Sequence, residues 1–156
     1  MTVRKALIED IPSILNLLSQ VLMVHHNGRP DIFKPDVTKY TESELRDIIE
    51  NPLTPVFVAD NQGVVVGYAF CQIQKKENDN ILTDIKTLYI DDLCVDEACR
   101  GQSIGRELYD YVKEYAISEE CYNVTLNVWA CNESAMRFYE KCGLIPQKYG
   151  MEVILK

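Results

Sequence analysis

The stretch Leu88 to Ala116, LYIDDLCVDEACRGQSIGRELYDYVKEYA, constrains this chain more than any other. Its first part mixes apolar and β-branched residues with two carboxylates, as a mostly buried strand does. Its last part sets Ile104, Leu108, Tyr111, Val112 and Tyr115 at helical spacing. The pattern predicts strand, loop, helix. In the loop, Arg100-Gly101-Gln102-Ser103-Ile104-Gly105-Arg106, two glycines let the backbone turn sharply and leave its N–H groups free of side-chain cover. A helix starting in the same loop adds unpaired donors and the positive end of its dipole, so the segment suits a phosphate or pyrophosphate.

Spacing separates the kinds of phosphate loop. The triphosphatase form G-x-x-x-x-G-K-[ST] is absent, and so is the dinucleotide form G-x-G-x-x-G with its downstream acid. Arg100-Gly101-Gln102-Ser103-Ile104-Gly105, directly after LCVDEAC, resembles the coenzyme A loop of the GNAT superfamily of N-acetyltransferases, Q/R-x-x-G-x-G/A. Arg100 and Gly105 fit that pattern, and Ser103 stands where it has its middle glycine. Serine is a good helix N-cap, and its hydroxyl suits either the first helical N–H groups or a phosphate oxygen. An ordinary strand-to-helix turn is the alternative reading of the hexapeptide alone.

A second segment decides between them. In Asn132-Glu133-Ser134-Ala135-Met136-Arg137-Phe138-Tyr139-Glu140-Lys141-Cys142-Gly143-Leu144, Asn132 is a good N-cap and Gly143 a good residue just past a helix end. This resembles the second GNAT signature, N-x-x-A-x-x-F/L-Y-x-x-x-G-F/L, at every specified position. The two signatures stand in the family's order and separation. They imply the GNAT fold, of α/β (α+β) class: a mixed, mostly antiparallel central sheet of six to seven strands, splayed between its central strands and flanked by about four helices.

The rest of the chain follows in order. Residues 2–8 read as a short strand. Asp10 and Pro12 open a helix whose apolar face, Ile11, Ile14, Leu15, Leu18, Val21 and Leu22, ends near Val24. Gly28, Pro30 and Pro35 place His25, His26, Arg29, Asp31 and Phe33 on or near a loop. That loop either lines a substrate pocket or closes on itself, Arg29 pairing Asp31 and Phe33 plugging the core. Residues 38–51 read as a second helix, 55–60 and 63–75 as a hairpin joined at Asn61-Gln62, and 76–86 as a polar loop. After the central helix, 117–130 leads into a strand with Val124, Leu126 and Val128 on one face. Residues 144–155 are expected to supply a final strand pair.

With 156 residues the chain has the size of one domain, 1–156, able to bury about two-thirds of its unfolded surface. No apolar run approaches the ~20 residues that span a bilayer, and the start MTVRKALIED lacks a signal-peptide core, so a cytoplasmic protein without a membrane partner is expected. A formal net charge of −8 opposes nucleic-acid binding and favours a cationic or amine substrate. An anionic cofactor then needs a local positive site, for which Arg100, Arg106 and the helix start are candidates. The six cysteines form no C-x-x-C pair and no His stands at zinc-ligand spacing, so reduced thiols and no metal are expected.

In the central strand, Asp91-Asp92 interrupts the apolar run. Neighbouring strand residues face opposite sides, so at most one of these carboxylates reaches a given face unless a bulge alters the alternation. The alternative is that both lie at an exposed strand end or pair with a cation. The resemblance implies a bulge here and an acid acting as general base, Asp91 first and Asp92 second. It further implies acetyl coenzyme A as cosubstrate and a primary amine as acceptor. The cosubstrate would be held by main-chain groups around Leu93, Cys94 and Val95, by the loop Arg100, Gly101, Gln102, Ser103, Ile104, Gly105 and Arg106, and by Asn132 and Tyr139. Tyr139 would supply a proton to the departing thiolate, or else serve only as a core aromatic beside Phe138. The family also admits a coenzyme-A-binding domain without turnover, and a homodimer.

Overall fold

The computed structural model describes residues 1–156. Five strands and four α-helices follow in the order β1 (Thr2–Lys5), α1 (Ile11–Gly28), α2 (Glu42–Glu50), β2 (Val56–Asn61), β3 (Val64–Lys75), β4 (Lys86–Val95), α3 (Ile104–Ser118), β5 (Asn123–Leu126) and α4 (Glu133–Lys141). Single 3-10 turns precede α1 and follow β4. The sheet keeps sequence order, β1-β2-β3-β4-β5, with antiparallel pairs up to β4 and one parallel pair, β4 with β5.

Alternation along the strands divides the core in two. Val56, Val58, Tyr68 and Phe70 pack with Ile14, Leu17 and Leu18 of α1 and Leu45 of α2 on one face. Phe57, Ala59, Ala69, Cys71 and Ile90 pack with Ile104, Leu108 and Val112 of α3 on the other. The sheet is thus sandwiched, with α1 and α2 on one side and α3 and α4 on the other, which is why nearly the whole of β2 and β3 is apolar.

Three boundaries differ from the sequence reading. Helix α1 runs on to Gly28, taking His25 and His26 into its last turn. Pro30 sets this limit, since a proline disfavours helical backbone at the residue before it, whereas Gly28 is merely a weak helix former. Helix α2 starts at Glu42 because Thr41 caps it: the Glu44 N–H donates to Thr41 Oγ1 (3.2 Å) and the Thr41 N–H to Glu44 Oε1 (3.1 Å). The hairpin turn falls on Gln62 and Gly63, both with positive φ (55° and 89°), the combination that matches the twist of a tight hairpin.

The expected six to seven strands are corrected to five. β5 stops at Leu126, so Val128 is outside it, and residues 144–155 form no strand pair. Strand-forming composition there is not matched by any backbone partner within the chain, and an extended segment without a neighbour is not a sheet strand.

The first strand is tied to the hairpin by ion pairs. Arg4 donates to Asp10 through both terminal nitrogens (2.8 and 3.0 Å) and to Asp60 (3.0 and 3.1 Å). Asp10, buried and also accepting from the Leu7 N–H, has a depressed pKa: burial opposes ionisation, but Arg4 and that N–H outweigh it. Its contribution to stability is therefore present at neutral pH and lost as pH falls below 3.8. Asp10→Asn is expected to cost about 1–3 kcal/mol at pH 7. Thermal melts of the two proteins should converge in acid, and a constant gap between them would contradict this role.

Candidate active site

Strand β4 carries the features that open the sheet. Its pairing with β5 ends at Ile90 opposite Leu126, while pairing with β3 continues to Val95 opposite Gly67. Beyond Ile90 the two central strands splay. The Asp96 N–H donates to Val66 O (2.8 Å), and ladder alternation then aims the amides of Asp92 and Cys94 at β3 and those of Leu93 and Val95 into the splay.

A bulge stands where the sequence pattern breaks. Phe70 pairs with Asp92 but Cys71 with Ile90, leaving Asp91 as the extra residue. The bulge lets both carboxylates meet partners on the α1–α2 side. Asp91 accepts from Lys39 Nζ and from the Tyr40 hydroxyl, both at 2.9 Å, so the segment before α2 is strapped over the strand. Asp92 accepts from the Tyr68 hydroxyl at 2.6 Å. Asp92 keeps a little open surface but lies deep enough that burial pushes its pKa up to about 6, against the opposing pull of the Tyr68 hydrogen bond and the Lys39 charge. Tyr68 is fully buried, and its hydroxyl is held protonated well above the usual tyrosine range by that burial and by the Asp92 charge.

The loop after β4 turns through Gly101 (φ 83°) and Ser103 (φ 63°) before entering α3. None of the main-chain N–H groups from Arg100 to Arg106 donates a hydrogen bond within the chain. Ser103 occupies the N-cap position, but left-handed backbone turns its hydroxyl away from the helix and it makes no capping bond. The expected cap bond is thus absent, and a reason for glycine at this point of the family pattern is plain: L-residues are strained there. Ser103→Gly is expected to raise stability by about 0.5–1 kcal/mol, the relieved strain less the added freedom of the unfolded chain. Urea titration reads it, and a fall in stability would mean that the hydroxyl has a structural task.

Gly105 is favoured by contact rather than by backbone angle, since an added Cβ would lie 3.3 Å from the Phe138 ring and that ring would have to give way by a few tenths of an ångström. This closeness seats α4 against the start of α3. Arg100 is exposed and makes no ion pair, whereas Arg106 is committed along α3 to Asp110 (3.0 Å) and to the Lys141 carbonyl (3.3 Å). Of the two arginines expected to supply positive charge, Arg100 is the one left free for an anion.

On α4, Asn132 caps the helix by accepting from the Ala135 N–H (3.2 Å). Tyr139 has a pKa raised above the usual tyrosine range, first by burial and then by the Asp92 charge, and its hydroxyl makes no hydrogen bond in the chain. Thus Asp92, Tyr139, the open amides of β4 and the glycine loop share the splay between β4 and β5. Asp91 stands at its rim.

No sequence motif points to Lys39, Tyr40 or Tyr68; they meet the acids from distant strands and loops. A cavity of about 900 Å³ opens beside the strap, lined by Ser19, Gln20 and Met23 of α1, by Asp36 and Thr38, and by Glu97 after β4. His25 stacks near Phe33 (5.0 Å between ring centres), and Phe33 meets Trp129 edge-on (5.2 Å). Arg29 does pair with Asp31 (2.8 Å), as the closed-loop alternative held. No group of three His, Cys, Asp or Glu side chains is placed to hold a metal ion, and no helix is long and apolar enough to cross a membrane.

The sequence profile of the Acetyltransferase (GNAT) family matches residues 22–144, most of the chain and all of the splayed site. The chain belongs to the GNAT acetyltransferase family. This GNAT protein is 28% identical over 101 residues to glucosamine 6-phosphate N-acetyltransferase of Arabidopsis thaliana, the match covering 65% of the chain and 64% of that relative. Its fold is similar to a tetramutant of the BH1408 protein from Bacillus halodurans, with a TM-score of 0.95 and 30% identity over 99% of this chain and 100% of that one. The fold is also similar to aminoglycoside N-acetyltransferase AAC(6')-Iy in complex with CoA, with a TM-score of 0.74 at 12% identity over 99% of each chain. These are acyltransferases and a structural neighbour of the same architecture, and the family uses acetyl coenzyme A.

Proposed function

We propose that this GNAT protein transfers the acetyl group of acetyl coenzyme A to a primary amine by direct attack. The observation that carries the reading is the unpaired main-chain loop from Arg100 to Arg106 at the end of a splayed strand that bears Asp92 and faces Tyr139. Uncovered amides at a helix start suit the pyrophosphate, with Gly101, Gln102, Ser103, Ile104, Gly105 and the free Arg100 around it. The open amides of Leu93 and Val95 suit the pantetheine arm and the thioester, with Cys94 between them turned into the core and Asn132 at the other wall of the splay.

An alkyl ammonium near pKa 10.4 must lose a proton before its nitrogen can attack. Asp92, ionised above about pH 6, takes that proton directly or through water. We assign the base to Asp92 ahead of Asp91, whose carboxylate is already held by Lys39 and Tyr40. As the C–N bond forms, the thioester oxygen gains negative charge, and the β4 amides in the splay stabilise it. The C–S bond then breaks as the attacking nitrogen gives up its second proton; of the two protons lost by the ammonium one ends on the thiolate, which accepts a hydrogen bond from Tyr139 as it leaves, and the other passes to solvent. Tyr139 holds its own proton too tightly to be left ionised.

The acceptor enters from the α1–α2 side. The cavity there is lined by Asp36 and Glu97 and by no lysine or arginine, which favours a cationic amine. Two of the proteins named above are a glucosamine 6-phosphate N-acetyltransferase and an aminoglycoside N-acetyltransferase, so an amino sugar phosphate and an aminoglycoside belong with a polyamine, an amino acid and a lysine peptide in the test. Incubation with acetyl coenzyme A and each amine is expected to release thiol in step with acetylated product. Calorimetric binding of acetyl coenzyme A without thiol release from any amine would establish instead a binding domain without turnover. No binding at all would remove the assignment of the loop.

A further inference from the structure

One primary amine of the chain already stands at the rim of the splay. Lys39 Nζ donates to Asp91 Oδ2 at 2.9 Å, and its charge bears on Asp92, the next residue of β4. No other lysine or arginine pairs with either acid. Such a contact has an ordinary reading as an ion pair that straps a loop to a strand. Here it also sets an ammonium on a carboxylate beside the proposed base, close to the β4 amides assigned to the thioester. That is where the reaction needs its acceptor.

Lys39 is free to take that part. Its side chain is 42% exposed and that of Asp91 18%, and a pair so open to water contributes roughly 0–1 kcal/mol, so the amine leaves its carboxylate readily. The segment that carries it belongs to no helix or strand, and residues 34–40 make no hydrogen bond between main-chain groups. Side chains hold it instead: the Tyr40 hydroxyl donates to Asp91 (2.9 Å), and the Tyr40 ring packs near Phe70 (5.6 Å between centres). Tyr40 thus anchors the segment, and the long, unbranched side chain next to it can swing into the splay.

We propose that Lys39 is a modification site: with acetyl coenzyme A bound and no acceptor present, the protein acetylates its own Lys39. The inference rests on acetyl transfer at this site. Asp91, already in hydrogen-bond contact, takes the first proton from the ammonium, the freed nitrogen bonds to the acetyl carbon, and the C–S bond breaks. The ammonium loses two protons in all, one ending on the thiolate and one in solvent. The products are Nε-acetyl-lysine, coenzyme A and a proton. Because the amine belongs to the same molecule, no association step precedes the attack. Acetylation removes the positive charge at Asp91 and leaves that carboxylate with neutral donors alone.

The test incubates the full-length protein with acetyl coenzyme A, without added amine, and follows Lys39 by peptide mass spectrometry. Lys34 lies on the same segment, exposed and in no ion pair, and reports direct chemical acetylation from solution. Lys39 is expected to gain the acetyl group at least about tenfold faster than Lys34, with a rate constant independent of protein concentration. An excess of about tenfold of free coenzyme A, which fills the site with no acetyl group to give, should slow Lys39 several-fold and leave Lys34 unchanged. Equal rates at the two lysines overturn the proposal; if the same protein releases thiol with an added amine, the proposed function stands and only the self-acetylation falls. A rate constant that rises in proportion to protein concentration also overturns it, since transfer then runs between molecules. Calorimetry that finds no binding of acetyl coenzyme A overturns both.

Discussion

Tyr139→Phe is expected to lower turnover about 10²- to 10³-fold while changing the dissociation constant of acetyl coenzyme A by no more than a few-fold. The ring remains, so its contact with Phe138 at 5.1 Å between centres is kept. Only the hydroxyl goes, and it makes no hydrogen bond inside the chain whose loss would disturb the fold. Burial and the Asp92 charge hold that hydroxyl protonated through any practical assay range. It is therefore a donor at every pH tested, and the loss in turnover should be independent of pH. Steady-state thiol release gives the rate, calorimetry gives the affinity, and a melt checks that stability is unchanged. Turnover within twofold of the parent would reduce Tyr139 to a core aromatic.

What the sequence made legible follows from the range of the interactions involved. The turn at Gly101, the helix from Ile104 and the helix between Asn132 and Gly143 rest on contacts within a few residues, and each stands where its local signals put it. The capping pair Thr41 and Glu44 was an equally local signal, and weighing it would have placed the start of α2 correctly. The partners of the two acids are another matter. Lys39, Tyr40 and Tyr68 reach Asp91 and Asp92 across 52, 51 and 24 positions, and no spacing rule joins residues so far apart.

Alternation allowed one carboxylate on each face, and only the bulge at Asp91, set by the register with Phe70 and Cys71, brings both to the same side. The C-terminal segment shows a different limit. Its residues have strand propensity, but propensity does not name a neighbour, and no backbone partner for the segment lies within the chain. Likewise Ser103 was a sound capping residue by type and is prevented from capping by the left-handed backbone that the loop imposes.

Asp92→Asn should make the protein both slower and more stable, and the two effects have one cause. Burial raises the Asp92 pKa from 3.8 to about 6, so the ionised form is disfavoured in the folded protein relative to the unfolded chain. The sign follows directly: the native state binds the proton more tightly, so folding is penalised at neutral pH and the penalty fades as pH falls from about 6 toward 3.8. An asparagine still accepts from Tyr68 and carries no charge, so at pH 7 the variant is expected to gain on the order of 1–3 kcal/mol, an advantage that vanishes in acid. The same charge is what removes the proton from the amine. Parent activity should therefore fall below about pH 6 and level off above it, while the variant, slower by about 10²-fold or more, should show no limb in that region. Asp91→Asn provides the contrast, because it loosens the strap of Lys39 and Tyr40, raising KM for the amine but leaving the limb near pH 6 in place. Should the limb vanish with Asp91→Asn and survive in Asp92→Asn, the proton passes to Asp91, and the buried pair of Asp92 with Tyr68 serves only to hold β4 open.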